Sequence, residues 1–151
     1  MTQPSLRRAT AADAAALTAL TRAAFQPWVA IMGREPLPMH TNYTIAIAQD
    51  QIDLLDLNGP VALIHMVPKP DHLWVETIAV HPDHQGRGIG PQLLAHAAAT
   101  AQTLNLPELR LLTNAALTTN LAFYAKQGFA QTAREPFRNG FVVHFHKPLS
   151  P

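Results

Sequence analysis

The chain contains no cysteine in 151 residues. That excludes disulfides, thiolate metal sites and any cysteine nucleophile. Charge is sparse as well: 14% of residues are charged, the formal net charge is +1, and no long basic run occurs. Nucleic acid is therefore not indicated as a partner. No segment approaches the roughly 20 apolar residues of a membrane span, and Met1 to Thr10 lack the apolar stretch of a signal peptide. These absences lead to the expectation of a cytoplasmic protein with no membrane partner. What is abundant is apolar side chain, at 48%. A chain of this length and composition suits a full hydrophobic core, so residues 1–151 are read as a single domain.

Ser5 to Arg8 predicts a short first strand. Thr10 with Asp13 resembles a capping pair, and Leu17, Leu20 and Ala24 follow at helical spacing to about Phe25, before Pro27. Residues 26–40 read as irregular, with a short helix near Tyr43 to Ala48. Ile52 to Leu57 and Val61 to Val67 read as strands around an Asn58-Gly59 hairpin turn. Leu73 to Val80 is the next strand, and a stripe from Ile89 through Leu93, Leu94, Ala97 and Ala101 to Leu104 predicts a long helix. Leu109 to Thr113 reads as a strand. Leu117 to Ala125 reads as a helix closed by Gly128, and Phe129 to Ala133 and Phe141 to His146 as final strands. The order is mixed α/β with one strand-helix-strand unit at its centre.

Between the Val80 strand and the long helix lies Gln85-Gly86-Arg87-Gly88-Ile89-Gly90. A helix start presents unpaired N–H groups and the positive end of the helix dipole, and glycines let an anion approach without a Cβ in the way. Alone, the turn indicates an anion near a helix start. It is not a P-loop, since no Gly-Lys-Ser/Thr follows. Nor is it a dinucleotide fingerprint, since the acidic residue expected about 20 positions on is missing apart from Glu108 beyond Pro107.

The stretch Val75 to Leu94, with Gln85-Gly86-Arg87-Gly88-Ile89-Gly90 at its heart, resembles the central motif of the GNAT superfamily of N-acetyltransferases. Asn120-Leu-Ala-Phe-Tyr124-Ala-Lys-Gln-Gly128-Phe129 resembles that family's later helix. The resemblance implies an α/β fold: a mixed, mostly antiparallel twisted sheet flanked by helices and splayed at the strand ending near Val80. It implies acetyl-CoA as acyl donor and a small-molecule or peptide amine as acceptor, with a homodimer through paired sheets as the assembly it allows. Backbone groups of Ile78, Ala79 and Val80 should pair with the pantetheine arm as an added strand, and the amides of residues 86 to 91, with Gln85, Arg87 and Asn120 beside them, should bind the rest of the cofactor. Pro91 departs from the pattern, because it has no N–H to give. The family Asn seven residues before the tyrosine is Leu117 here, so Asn120 carries cofactor binding less directly. The competing readings are a non-catalytic acyl-CoA-binding or regulatory module, and a phosphate-ligand domain unrelated to CoA; the Asn120-to-Phe129 segment argues against the latter.

Acyl transfer to an amine has a proton problem. An amine of pKa near 10.4 is mostly protonated at pH 7, and freeing it costs roughly 4.6 kcal/mol. Glu76, a carboxylate in an apolar strand, is the candidate base. Strict alternation places it on one face with Trp74, Ile78 and Val80, where burial would raise its pKa. Tyr124, one turn after Asn120, falls on the Leu117-Leu121 stripe and by spacing alone reads as a core aromatic; the resemblance, through its Tyr-x-x-x-Gly-Phe context, implies instead an acid or a contact to the CoA sulfur. Without a cysteine, no acyl-cysteine route exists and attack is direct. The resemblance implies that the segment after the first helix, with Trp28, Arg34, Met39 and Tyr43, shapes the acceptor site; from the residues alone it reads equally as a packed surface loop. His81 with His84, and His144 with His146, read as solvated or hydrogen-bonded surface histidines rather than metal ligands, and no metal is expected.

Overall fold

The protein is described by a computed structural model covering residues 5–150. Seven strands form one sheet in the order β1-β2-β3-β4-β5-β7-β6. They are β1 (Arg7–Arg8), β2 (Gln51–Asp56), β3 (Pro60–Pro68), β4 (Leu73–Val80), β5 (Glu108–Asn114), β6 (Ala130–Phe137) and β7 (Gly140–Pro148). All neighbours are antiparallel except β4 and β5. That parallel pair requires a crossover, which α4 (Ile89–Thr103) supplies.

The other helices are α1 (Ala14–Phe25), α2 (Val29–Met32), α3 (Tyr43–Gln49) and α5 (Thr118–Lys126). Residues 26–40 are more ordered than their proline content predicts: 3-10 turns at Gln26–Trp28 and Leu37–His40 flank α2. Proline suits such first turns because its missing N–H would have no helical partner there. The strand readings hold, with β6 and β7 longer than their patterns indicate. The Asn58-Gly59 turn forms as read, with both residues at positive φ and the Gly59 amide held by Asp56.

Two cores sandwich the sheet. Leu17, Leu20, Thr21, Ala24 and Phe25 of α1 recur at i, i+3, i+4, i+7 and i+8 and pack with α3 against Ile52, Leu54, Leu63 and Ala79. On the opposite face Leu93, Leu94, Ala97 and Ala101 of α4 cover Ile64, Met66, Val75, Leu109 and Phe145. Tyr43 and Met39 belong to the first core, each 2% exposed. The Tyr43 hydroxyl is satisfied there by Thr21 at 2.7 Å, so neither residue forms the acceptor site read for it from sequence.

Two irregularities shape the middle of the sheet. β4 pairs with β5 only at Leu73–Leu109 and Trp74–Arg110, and the strands part beyond. At the same place β4 carries a bulge: His65 faces Thr77 and Met66 faces Val75, so Glu76 has no partner on β3. An extra residue moves the following side chains to the other face. Leu73 and Val75 lie on the α4 side, and so do Ile78 and Val80, whereas Ala79 joins the α1–α3 core. This corrects the strict alternation: Glu76 does not share a face with Ile78 and Val80. It is also exposed rather than buried.

Buried charge fixes the start of the sheet. Asp53 on β2 is 4% exposed and takes hydrogen bonds from His96 (2.7 Å), Arg8 (2.8 Å) and Gln51 (3.0 Å). Burial by itself would raise its pKa; the bonds from His96, Gln51 and Arg8 outweigh that and hold it below the ordinary carboxylate value. Asp53→Asn should lower unfolding free energy at pH 7 by about 1–3 kcal/mol in urea titrations. The folded pKa is depressed, so the contribution is present above the unfolded pKa and lost as pH falls through the folded one. The gap between wild type and variant should therefore close below about pH 4.

Candidate active site

β4 ends at Val80, a 3-10 turn follows over Pro82–His84, and α4 begins after Gly88. Gly86 and Gly88 adopt φ of 77° and 78°, a left-handed geometry that side chains with a Cβ resist. A Cβ at Gly88, which lines the cavity described below, would meet nothing within 4 Å. Gly90 is different: a Cβ there would come 3.1 Å from the Phe123 ring, so this glycine serves helix packing. The amides of Ile89 and Gly90 lie in the first turn of α4, where none has a helical acceptor.

The backbone of β4 beyond Trp74 faces an open cleft. His81 donates to Val61 across the β3 pair, so by the two-residue repeat Ala79 also turns its backbone toward β3. Ile78 and Val80 then present their backbone groups to the cleft. The Val80 carbonyl accepts a bond from the Gln85 side-chain amide at 3.1 Å. The sequence reading of three consecutive pairing residues reduces to these two.

Two cavities open along this cleft. One, of ≈ 590 Å³, runs past Ile78, Val80, Gln85, Gly86, Gly88 and Gly90 to α5, where Thr119, Phe123 and Lys126 form its far wall. The other, of ≈ 320 Å³, is walled by Trp28, Arg34, Trp74, Glu76, Leu117 and Phe137 among others. They share Phe25, Trp28, Ile78, Asn120 and Tyr124. The Arg87 side chain lines neither. Lys126, which sequence reasoning did not assign, lines the larger cavity, and so does His84, whose Nδ1 is buried without a partner among the described residues, unlike the surface histidine read from sequence. Only the fold shows that Lys126, near the end of α5, lines the same cavity as the glycine turn.

Tyr124 stands where the cavities join, packed against Phe123, Phe129 and Phe145 at ring distances of 5.3, 5.7 and 5.7 Å. Burial pushes its phenol up to about 12, so it keeps its proton at neutral pH. Gly128, at φ 92°, ends α5 in a Schellman turn, with Phe129 donating to Tyr124 and Gly128 to Ala125. Asn120 donates to Thr113 at 3.3 Å, which ties α5 to β5.

Glu76 receives a hydrogen bond from the Trp74 indole. The chain has ten carboxylate side chains. Nine have a basic partner: Asp13 and Asp56 pair with arginine, Asp50, Asp83 and Glu135 with histidine, and Glu35, Asp53, Asp71 and Glu108 with both. Glu76 alone has none among the described residues. Arg34 bonds Asn139 (3.1 Å) and the Glu35 carbonyl (3.3 Å) and lies over the Phe137 ring; burial, then the neighbouring Arg138, lowers its pKa. His144 and His146 bond Glu135 and Glu108.

A comparison with curated protein sequences gives no match. Solved structures share the fold. The chain is similar to a PaiA N-acetyltransferase from Thermoplasma acidophilum in complex with coenzyme A, at TM-score 0.81 and 15% identity over 97% of this chain and 99% of that one. It is similar to a GCN5-related N-acetyltransferase from Rhodopseudomonas palustris, at TM-score 0.82 and 21% identity over 99% and 98%. An acetyltransferase from Thermus thermophilus aligns at TM-score 0.78 and 21% identity over 98% of each chain. The family profile described as Acetyltransferase (GNAT) domain matches residues 41–131, more than half of the sequence and the whole stretch from α3 through the glycine turn to α5. With the splayed sheet, the glycine turn and the Tyr124 helix all in the order that the two sequence motifs imply, the chain belongs to the GNAT acetyltransferase domain family.

Proposed function

We propose that this enzyme transfers an acetyl group from acetyl-CoA to a primary amine by direct attack, with donor and acceptor held in the two cavities that meet at Ile78, Asn120 and Tyr124. The shared wall carries the reading, because ligands in the two cavities would meet end to end beside a phenol. The larger cavity fits the donor in chemistry as well as size. It offers a free strand edge, a left-handed glycine turn before a helix start, and the cation of Lys126.

Acetyl-CoA would supply an activated thioester carbonyl. Ile78 and Val80 would hold its amide-bearing arm as an added strand, and the amides of residues 86–90 its pyrophosphate; Pro91, exposed in the first turn of α4, contributes no donor. Glu76 would draw in the acceptor ammonium and take its proton, directly or through one water. Tyr124 would hydrogen-bond the departing sulfur. A phenol at about 12 facing a thiol near 8.5 makes full proton transfer uphill by roughly 5 kcal/mol, so its service is a hydrogen bond to the developing charge. Tyr124→Phe should lower kcat roughly 10- to 100-fold with little change in acetyl-CoA affinity, and the loss should be constant from pH 6 to 9. Unchanged turnover would remove Tyr124 from the reaction.

The donor assignment is tested by isothermal titration: no heat of binding with acetyl-CoA up to millimolar concentration would overturn it. The same reading takes residues 1–151 as one acyltransferase domain, since one sheet runs from Arg7 to Pro148. It places that domain in the cytoplasm, in keeping with a cysteine-free sequence. No helix among the described residues is long and apolar enough to cross a membrane.

A further inference from the structure

The smaller cavity has a distinctive charge pattern. Its body is apolar, with Trp28, Met32, Leu37, Trp74, Leu117 and Phe137 contributing. On the β6 side the charges are of both signs: Glu135 is paired with His144 at 2.7 Å, whereas Arg34 bonds the neutral Asn139 amide and the Glu35 carbonyl and lies 5.6 Å over the Phe137 ring. On the β4 side stands Glu76, the one carboxylate of ten with no basic partner among the described residues, where the bulge leaves it unpaired with β3. A cavity of ≈ 320 Å³ holds a small molecule, not a folded segment.

We propose that the acceptor is a small primary amine carrying a single positive charge on an apolar body about the size of an aromatic ring, its ammonium at Glu76 and its body between Trp28, Trp74 and Phe137. This rests on the acetyltransferase reading above and names its substrate class. An ammonium supplies the cation that Glu76 lacks. A free α-amino acid fits poorly, because its carboxylate sits one carbon from the amine and would face Glu76 with like charge. A polyamine fits poorly too, since its further ammonium groups would enter apolar walls where only an already paired carboxylate awaits them.

Both tryptophans of the chain line this cavity, so intrinsic fluorescence reports its occupancy without turnover. The full-length protein would be titrated with 2-phenylethylamine, 2-phenylethanol, phenylalanine, spermidine and a tripeptide with an apolar first residue. The expected result is saturable change in Trp emission with 2-phenylethylamine, at least tenfold tighter than with any of the other four. Glu76→Gln should weaken that binding tenfold or more while its affinity for acetyl-CoA, followed by calorimetry, stays unchanged. Equal or tighter binding of phenylalanine, spermidine or the tripeptide overturns the assignment. So does 2-phenylethylamine binding that ignores the substitution, or no 2-phenylethylamine binding at all. Calorimetry separates the two levels: if acetyl-CoA fails to bind while the amine ranking holds, the donor reading falls and the pocket assignment stands.

Discussion

Glu76→Gln should lower kcat/KM for an amine acceptor about 10²- to 10⁴-fold at pH 7, the range that a positioned base contributes. The substitution keeps the size of the side chain and its ability to accept from the Trp74 indole, but removes the charge. Because Glu76 is exposed and has no ion pair among the described residues, the fold loses little. The pH profile distinguishes a base from a mere binding group. Without a base, only the free amine reacts, and its fraction grows tenfold per pH unit below its own pKa near 10.4. The residual activity should therefore climb with slope one, and the deficit should shrink toward alkaline pH. A parallel offset at every pH would assign Glu76 to binding alone, and wild-type turnover would remove it from the site.

Gly88→Val should raise the Kd for acetyl-CoA at least about 100-fold, equivalent to roughly 2.7 kcal/mol. Two effects combine. A β-branched residue at φ 78° is strained by about 1–2 kcal/mol or more, which displaces the start of α4, and its methyl groups project into open space at the mouth of the groove. Strain alone should lower Tm by roughly 2–8 °C. Gly59→Val is the control. It sits at φ 118° with equally open surroundings, but in the β2–β3 hairpin away from the groove, so it should cost stability without moving the Kd. If both variants bind acetyl-CoA alike, the glycine turn is not the phosphate cradle.

What could be read from sequence was local. Helical and strand periods placed α1, α4 and the main strands, because each buries one stripe or one face. The glycine turn was legible because positive φ and helix starts have their own residue signature. The bulge at Glu76 was not: the Leu73–Val80 stretch alternates cleanly, and nothing in it marks where β3 skips a residue. Tyr43 misled for a related reason. Its place in the segment after α1 suggested a site wall, but Thr21, 22 residues away, satisfies its hydroxyl inside the core. Asp53 was equally hidden, since its partners Arg8 and His96 come from β1 and α4. Lys126 in the groove follows only from how α5 is laid across the cleft.

The two pairs that join β4 to β5 leave the backbone amides of Ile78 and Val80 facing the cleft, without a strand to shield them. In deuterated water they should take up label quickly, although they sit in the middle strand of a seven-stranded sheet, while the Ala79 amide between them, bonded into β3, stays slow. When an added strand fills the cleft this contrast should vanish. The uptake at these two positions would then act as an occupancy gauge, reporting how much donor is on the protein without any catalysed reaction.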